Sequence, residues 1–381
     1  MIIEVRGVSF PNKGSHLMLL SIIANLQCFY PDAQLTMSPG RRAGHRDFKD
    51  IVNAGLIPKL DLSFRALDFG FAGQFIPERI REMYGLVLDR EVDVVLDASG
   101  FAYSDQWGAA NTKELAVASS RWASRGTKVI LMPQAFGPFR LAGMPHLLKS
   151  IVRDSSLVMA RDMTSANFLR EAVGEAWPLT IYPDFTTPLV GVQPPGLKMK
   201  EKGVCIVPNA RMVDKVNSGA ADSYLPFLIR IARMLKAEKA RPFLLVHEGS
   251  ADRVLAEKVA GAVGDLQIVT ESDPLVIKGI LGTSTAVIGS RFHAIVSALS
   301  QGVPAMTTSW SHKYSELLGD FGFLEGLLDV GASDSEIQKK VELLLNEDAR
   351  LEMSRRISEK SEDLKKRTSE MWDRVREVIE S

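Results

Sequence analysis

At 381 residues, with 46 basic against 46 acidic side chains, the chain is too long for one compact core and carries no net field. Hydrophobic residues at 46% and charged residues at 24% are ordinary globular usage, and the balanced charge argues against nucleic acid or an acidic membrane as the ligand. The opening "MIIEVRGVSF" places Glu4 and Arg6 where a signal peptide needs an apolar core, and no apolar run is long enough to cross a bilayer. Cys28 and Cys205 stand far apart in no metal or redox spacing, so both read as core thiols of a cytoplasmic protein.

In chain order, short runs rich in Val and Ile alternate with helical patterns, as in βαβ units. The first half offers "IIEVRG", "AQLTMS", "VDVVLDASG", "TKVILMPQ", "SLVMAR" and "LTIYPD". The paired prolines, glycines and charges of "LVGVQPPGLKMKEKG", residues 189–203, then read as a linker. Alternation restarts with "GVCIVPN", "RPFLLVHEG", "LQIVTES", "AVIGS" and "VPAMTTS". From Ser333 the pattern is helical to the end, opened by Ser333 and Glu336 at capping-box spacing. The expectation is an α/β chain of two Rossmann-like domains, residues 1–188 and 204–332, with parallel sheets facing a cleft and C-terminal helices over 333–381.

Open parallel sheets bind ligands at the carboxyl ends of their strands. In "GSRFHAIVSALSQGVPAM" the strand ends at Ser290, and Phe292, Ile295, Val296 and Leu299 follow helical spacing. Arg291 and His293 therefore stand at a helix N-terminus, which attracts anions and repels cations. Two cationic side chains there predict an anionic ligand that shares the site. Asn209 and Arg211, and Ser309, Ser311, His312 and Lys313, follow two other strands of the second half. In the first half Asn12, Lys13, Ser15 and His16, then Asp97, Ser99, Gly100, Tyr103 and Asp105, then Gln134, Gly137 and Arg140 do the same. The first set is polar and aromatic, as a sugar requires; the second is cationic, as a phosphate requires. His247, Glu248 and Asp252 lie too close together in sequence to converge readily on one metal ion, and no metal is expected. GxGxxG, GxxxxGK[ST], HExxH and GxSxG are all absent.

"GSRFHAIVSALSQGVPAMTTSWSHKYSELLGDFG" resembles the signature of the polysaccharide pyruvyl transferases. "VMARDMTSANFLREAVGEAWPLTIYPDFTTPL", "MPQAFGPF", "DASGFAYSD" and "NKGSHLMLL" resemble further blocks of that family, in family order over most of residues 5–325. The resemblance implies a GT-B-like fold and transfer of pyruvate from phosphoenolpyruvate onto a sugar or lipid-linked glycan as a ketal, releasing phosphate, with no cofactor. It implies that Arg291, His293 and Arg211 serve the phosphoenolpyruvate. The chain departs from many relatives at Gly14, Ser15 and His16 and at Asp97, Ala98, Ser99 and Gly100, both on the acceptor side.

The chemistry needs cations and a proton shuttle. His293 is the expected acid or base, with Arg291 beside it. Arg211 and Lys313 are the expected donor ligands, and Asn12, Lys13, Ser99, Gly100 and Gln134 the expected acceptor contacts. Asp105 or Asp184 is a candidate to deprotonate an acceptor hydroxyl. A nucleotide-sugar glycosyltransferase on the same fold, and a sugar-binding protein without activity, stand as the alternatives.

Overall fold

The computed structural model describes residues 1–39, 48–60, 63–64, 67–68, 73, 75–175, 177–193, 203–214, 218–308 and 311–381. The middle of the expected linker, 194–202, and Ser309 lie outside the described residues. The chain divides into two compact units: Met1–Phe10, Met18–Tyr182 and Ser369–Ser381 form the first, and Pro11–Leu17 with Pro183–Thr368 the second.

The first unit is built on β1 (Ile2–Arg6), β2 (Gln34–Met37), β3 (Ile57–Pro58), β6 (Val94–Asp97), β7 (Lys128–Gln134), β8 (Leu157–Ala160) and β9 (Thr180–Ile181), with a separate antiparallel pair, β4 (Ser63–Phe64) and β5 (Leu67–Asp68). Its seven-stranded sheet runs β3-β2-β1-β6-β7-β8-β9, parallel throughout. Every residue of β6 is buried, the continuous apolar pattern of a strand covered on both faces. Helices α1 (Lys13–Phe29), α2 (Phe48–Asn53), α3 (Glu78–Met83), α4 (Ala110–Ala123), α5 (Met144–Arg153) and α6 (Met163–Val173) connect the strands. The start of α1, as far as Leu17, belongs to the second unit.

The second unit repeats the plan with β10 (Val204–Val207), β11 (Phe243–Val246), β12 (Gln267–Thr270), β13 (Ala286–Gly289), β14 (Ala305–Thr308) and β15 (Leu327–Leu328), in the parallel order β12-β11-β10-β13-β14-β15. Its helices are α7 (Arg211–Asp214), α8 (Ser218–Ala237), α9 (Gly249–Val263), α10 (Pro274–Thr283), α11 (Phe292–Leu299), α12 (Lys313–Asp320), α13 (Asp334–Leu345) and α14 (Glu347–Glu380). Phe292, Ile295, Val296 and Leu299 of α11 are all buried, as their spacing predicts. Asp273 caps α10 by accepting from Leu275 and Val276 ahead of Pro274. The box at α13 forms as read: Ser333 N donates to the Glu336 carboxylate at 2.8 Å, and Glu336 N to Ser333 Oγ at 3.4 Å.

Both sheets reverse direction once. Strands are added outward from β1 to β3, and then β6 joins the other side of β1; β10, β11, β12 and β13 repeat this order. In doubly wound sheets ligands bind at the carboxyl ends on either side of that reversal. The carboxyl ends that flank the reversal therefore follow β1 and β6 in one unit and β10 and β13 in the other.

One sequence expectation differs from the structure, and some short strands are not legible in the sequence. Cys205 is buried, but Cys28 is exposed, because it lies beyond Leu26, the last buried residue of α1. β3 and β15, each two residues long, carry too short an apolar run to be read as strands from the sequence. Among the described residues no helix is long and apolar enough to cross a membrane.

Candidate active site

The turn after β13 is anchored at Ser290. Its carbonyl accepts from Tyr314 Oη at 2.8 Å and from Asn209 Nδ2. Its hydroxyl meets Tyr224 Oη at 2.9 Å and Thr308 Oγ1 at 2.6 Å. Groups after β10, in α8, in β14 and in α12 thus converge on one residue, which fixes the direction in which the chain enters α11.

Arg291 caps α11 in extended backbone. Its Nε donates to Asp252 Oδ2 at 2.9 Å and its Nη2 to Asp252 Oδ1 at 2.6 Å, while Nη1 pairs with Glu248. Asp252 is fully buried in the first turn of α9, and it also accepts from Ala210 N at 2.9 Å and Glu248 N at 3.2 Å. Burial opposes the charge on Arg291, but Asp252 and Glu248 outweigh it and raise the affinity of the guanidinium for its proton. The expectation that Arg291 lacks a counter-ion until an anionic ligand arrives is therefore corrected. The order β11-β10-β13 brings the acids of the turn after β11 within reach of the end of β13. The strand ends are accordingly not purely cationic, as they read in sequence.

His293 lies one residue into α11 with its Nε2 3.4 Å from Asp184 Oδ2, close to the carboxylate without a formed hydrogen bond. Asp184 is buried just after β9; its Oδ1 is taken by Thr186 N at 3.0 Å and Thr186 Oγ1 at 2.5 Å, which turns Oδ2 toward the imidazole. The histidine packs directly on Gly14, where an added Cβ would sit 2.5 Å from its Cγ and 2.8 Å from its Cβ. Only a glycine leaves room for that ring.

Asn12 and Lys13, read in sequence with the first-domain polar set, fold with the second unit. Asn12 Oδ1 accepts from Ser15 N at 3.0 Å, a helix-capping contact at the start of α1. Lys13 Nζ donates to the Ser272 carbonyl at 2.7 Å. Arg211 opens α7, its backbone N bonded to Asn209 Oδ1 at 2.9 Å. Lys313 opens α12 with its ammonium 5.5 Å from the Phe292 ring centre and 5.3 Å from that of Tyr314, within cation–π range.

Two residues given no binding or catalytic part in the sequence reading matter here. His247, at the end of β11, is 3% exposed, and neither ring nitrogen meets a partner among the described residues. Burial, then the charges of Arg291, His293 and Lys13, hold its proton affinity well below that of an ordinary histidine, so the ring is neutral. Lys278 of α10 is fully buried, donating to the Thr186 carbonyl at 3.0 Å and Ser300 Oγ at 2.9 Å. Desolvation brings its pKa down to about 7, with Asp184 acting in the other direction. A lone lysine in the apolar run "DPLVIKGILG" was the available signal. Among the described residues no group of three or more His, Cys, Asp or Glu is arranged to hold a metal ion. Glu248 and Asp252 hold Arg291 instead.

In the first unit Ser99, Gly100 and Gln134 gather where β6 and β7 end, around Asp97. This fully buried carboxylate accepts from Tyr103 Oη at 2.8 Å, Gln134 Nε2 at 3.3 Å and Ser99 N at 3.2 Å, and pairs with Arg6 Nε at 2.9 Å. Gly100 adopts φ +70° and its carbonyl accepts from Ala135 N at 2.8 Å. Burial and Asp97 together keep the Tyr103 phenol protonated. Gln134 Oε1 is left without a partner among the described residues.

Two doubly wound sheets with a histidine and an arginine at the reversal of the second define a GT-B-like α/β protein. The chain matches the family model of polysaccharide pyruvyl transferase over residues 12–312 and belongs to that family. Comparison with curated proteins yields no match. Among solved structures it is similar to UDP-GlcNAc 2-epimerase from Neisseria meningitidis bound to UDP-GlcNAc, with TM-score 0.58 and 12% identity over 96% of this chain and 99% of that one. S. aureus MnaA in its co-structure with UDP gives 0.57 and 14% over 93% and 90%. The trehalose-6-phosphate synthase OtsA gives 0.57 and 10% over 100% and 99%. At such identities the likeness is one of fold.

Proposed function

We propose that the protein transfers a pyruvyl group from phosphoenolpyruvate to two hydroxyls of a saccharide or lipid-linked glycan, forming a ketal and releasing phosphate. The observation that carries this reading is His293, held against Gly14 and Asp184 at the sheet reversal of the second unit, in a chain of the pyruvyl transferase family. The steps balance without a cofactor. A proton adds to the methylene carbon while one acceptor hydroxyl bonds to the central carbon and gives up its own proton to a base, leaving a methyl-bearing centre that still carries phosphate. The second hydroxyl displaces the phosphate, and its proton leaves with the phosphate or a base.

His293 supplies the proton to the methylene carbon, and Asp184 beside it stabilises the charged imidazole. The N–H groups opening α11 attract the donor's anionic oxygens, with Arg211 and Lys13 as further cations of the same unit. Arg291, whose fork is already matched by Asp252 and Glu248, fixes the start of α11. Ser99, Gly100 and Gln134, ordered by Asp97 in the first unit, are the groups offered to the acceptor, with Gln134 Oε1, which has no partner among the described residues, available to a sugar hydroxyl. The test is phosphate release from phosphoenolpyruvate across a panel of saccharide diols. Release that requires an acceptor and falls on the order of a hundredfold or more in His293→Ala supports the reading; undiminished release in that variant removes His293 from it.

A further inference from the structure

We propose that His247 is a further ligand-binding residue of the second unit's site, donating a hydrogen bond from its imidazole to an anionic oxygen of the donor. This inference rests on the proposed reaction. His247 directly follows β11, the strand beside β10, so it stands at the same carboxyl end of the sheet as Asn209 and Arg291. Its ring is all but inaccessible to solvent, and a neutral imidazole carries one donor and one acceptor nitrogen. Neither is engaged by protein among the described residues.

A buried polar group in that condition is costly. An imidazole with a purely structural task at a strand end would bond to a carbonyl or a nearby acid. The acids adjacent in sequence, Glu248 and Asp252, are both committed to Arg291. The surroundings also explain why the ring is a histidine and not another cation. Arg291, His293 and Lys13 all act on it electrostatically and disfavour a further positive charge. A neutral N–H can still donate to a carboxylate or phosphate oxygen, and it adds no charge that would compete with protonation of His293. The two histidines of the site thus divide the work: one moves a proton and the other holds the ligand.

The test is calorimetric titration of native protein, His247→Leu and His247→Gln with phosphoenolpyruvate and with inorganic phosphate, beside thermal melts without ligand. His247→Leu removes two unpaired polar atoms at similar volume, so it is expected to melt at or above the native temperature while losing about tenfold or more in affinity. His247→Gln keeps an N–H and is expected to recover part of that loss. Opposite signs for stability and affinity are a pattern that a structural role does not produce. Native affinity in His247→Leu, or a loss that only follows a lowered melting temperature, overturns the inference and leaves the proposed reaction standing. A native protein that binds neither ligand overturns both. Should His247→Leu fail to fold, the nitrogen-15 resonances of the native histidine rings decide: the pair absent from His247→Gln must move when phosphoenolpyruvate is added, and a pair that stays in place refutes the assignment.

Discussion

Asp252 grips Arg291 through two parallel hydrogen bonds, 2.9 Å to Nε and 2.6 Å to Nη2, from a position 39 residues away in the chain. The pair joins the first turn of α9 to the start of α11, and because both side chains are largely buried, neither charge has water to fall back on. Removing one partner leaves the other uncompensated. Arg291→Ala is therefore expected to lose about 3–5 kcal/mol of stability in urea unfolding, and Arg291→Lys to recover only part, since an ammonium cannot reproduce the two-pronged contact. An alanine variant as stable as the native chain would mean that the pair contributes nothing to the fold.

Glu248 is the more exposed of the two acids on Arg291, and a donor carboxylate or phosphate would compete with it for Nη1. Glu248→Gln leaves that nitrogen only a neutral acceptor, easier to displace, and removes a negative charge from the donor's path. Phosphoenolpyruvate affinity is expected to rise by a few-fold, corresponding to about 1 kcal/mol for one partly exposed pair. Weaker binding in Glu248→Gln would show that the acid helps to shape the site for the donor.

Gly14 makes room for His293. A methyl group there overlaps the ring, and the imidazole must swing away from Asp184. Gly14→Ala is expected to cost about 1–3 kcal/mol as an overpacked contact, and to lower turnover roughly as far as His293→Ala does. Native turnover in this variant would show that His293 works from another position.

Lys278 gives a pH signature for stability. Its pKa falls from 10.5 to about 7 on burial, so between those values the unfolded chain binds the proton more readily than the folded one. Stability linked to this group is full above pH 10.5, declines as pH falls toward 7, and levels off below. Stability of the native protein relative to Lys278→Met should thus rise from pH 7 to pH 10, which melts of the two proteins over that range would reveal. Parallel profiles would place the titration elsewhere.

Much of this was legible in the sequence. The runs "VDVVLDASG" and "AVIGS" contain the central parallel strands Val94–Asp97 and Ala286–Gly289, in which every position is buried, and the spacing of Phe292, Ile295, Val296 and Leu299 picks out α11, although that helix is buried at every residue except His293. The pairing of Arg291 with Asp252 was not legible, since it depends on which strands lie side by side and not on local spacing. For the same reason Asn12 and Lys13 read as first-domain residues, although the chain from Pro11 to Leu17 packs with the second unit. His247 carries no motif at all. What distinguishes it, two buried nitrogens without protein partners, exists only once β11 is packed.

The measurement that tests the central claim most directly is calorimetric titration of the native protein and His293→Ala with phosphoenolpyruvate, beside a panel of nucleotide sugars. The account predicts saturable phosphoenolpyruvate binding to the native chain, weaker binding to the variant, and none of the nucleotide sugars taken up. Nucleotide-sugar binding with no response to phosphoenolpyruvate would contradict it.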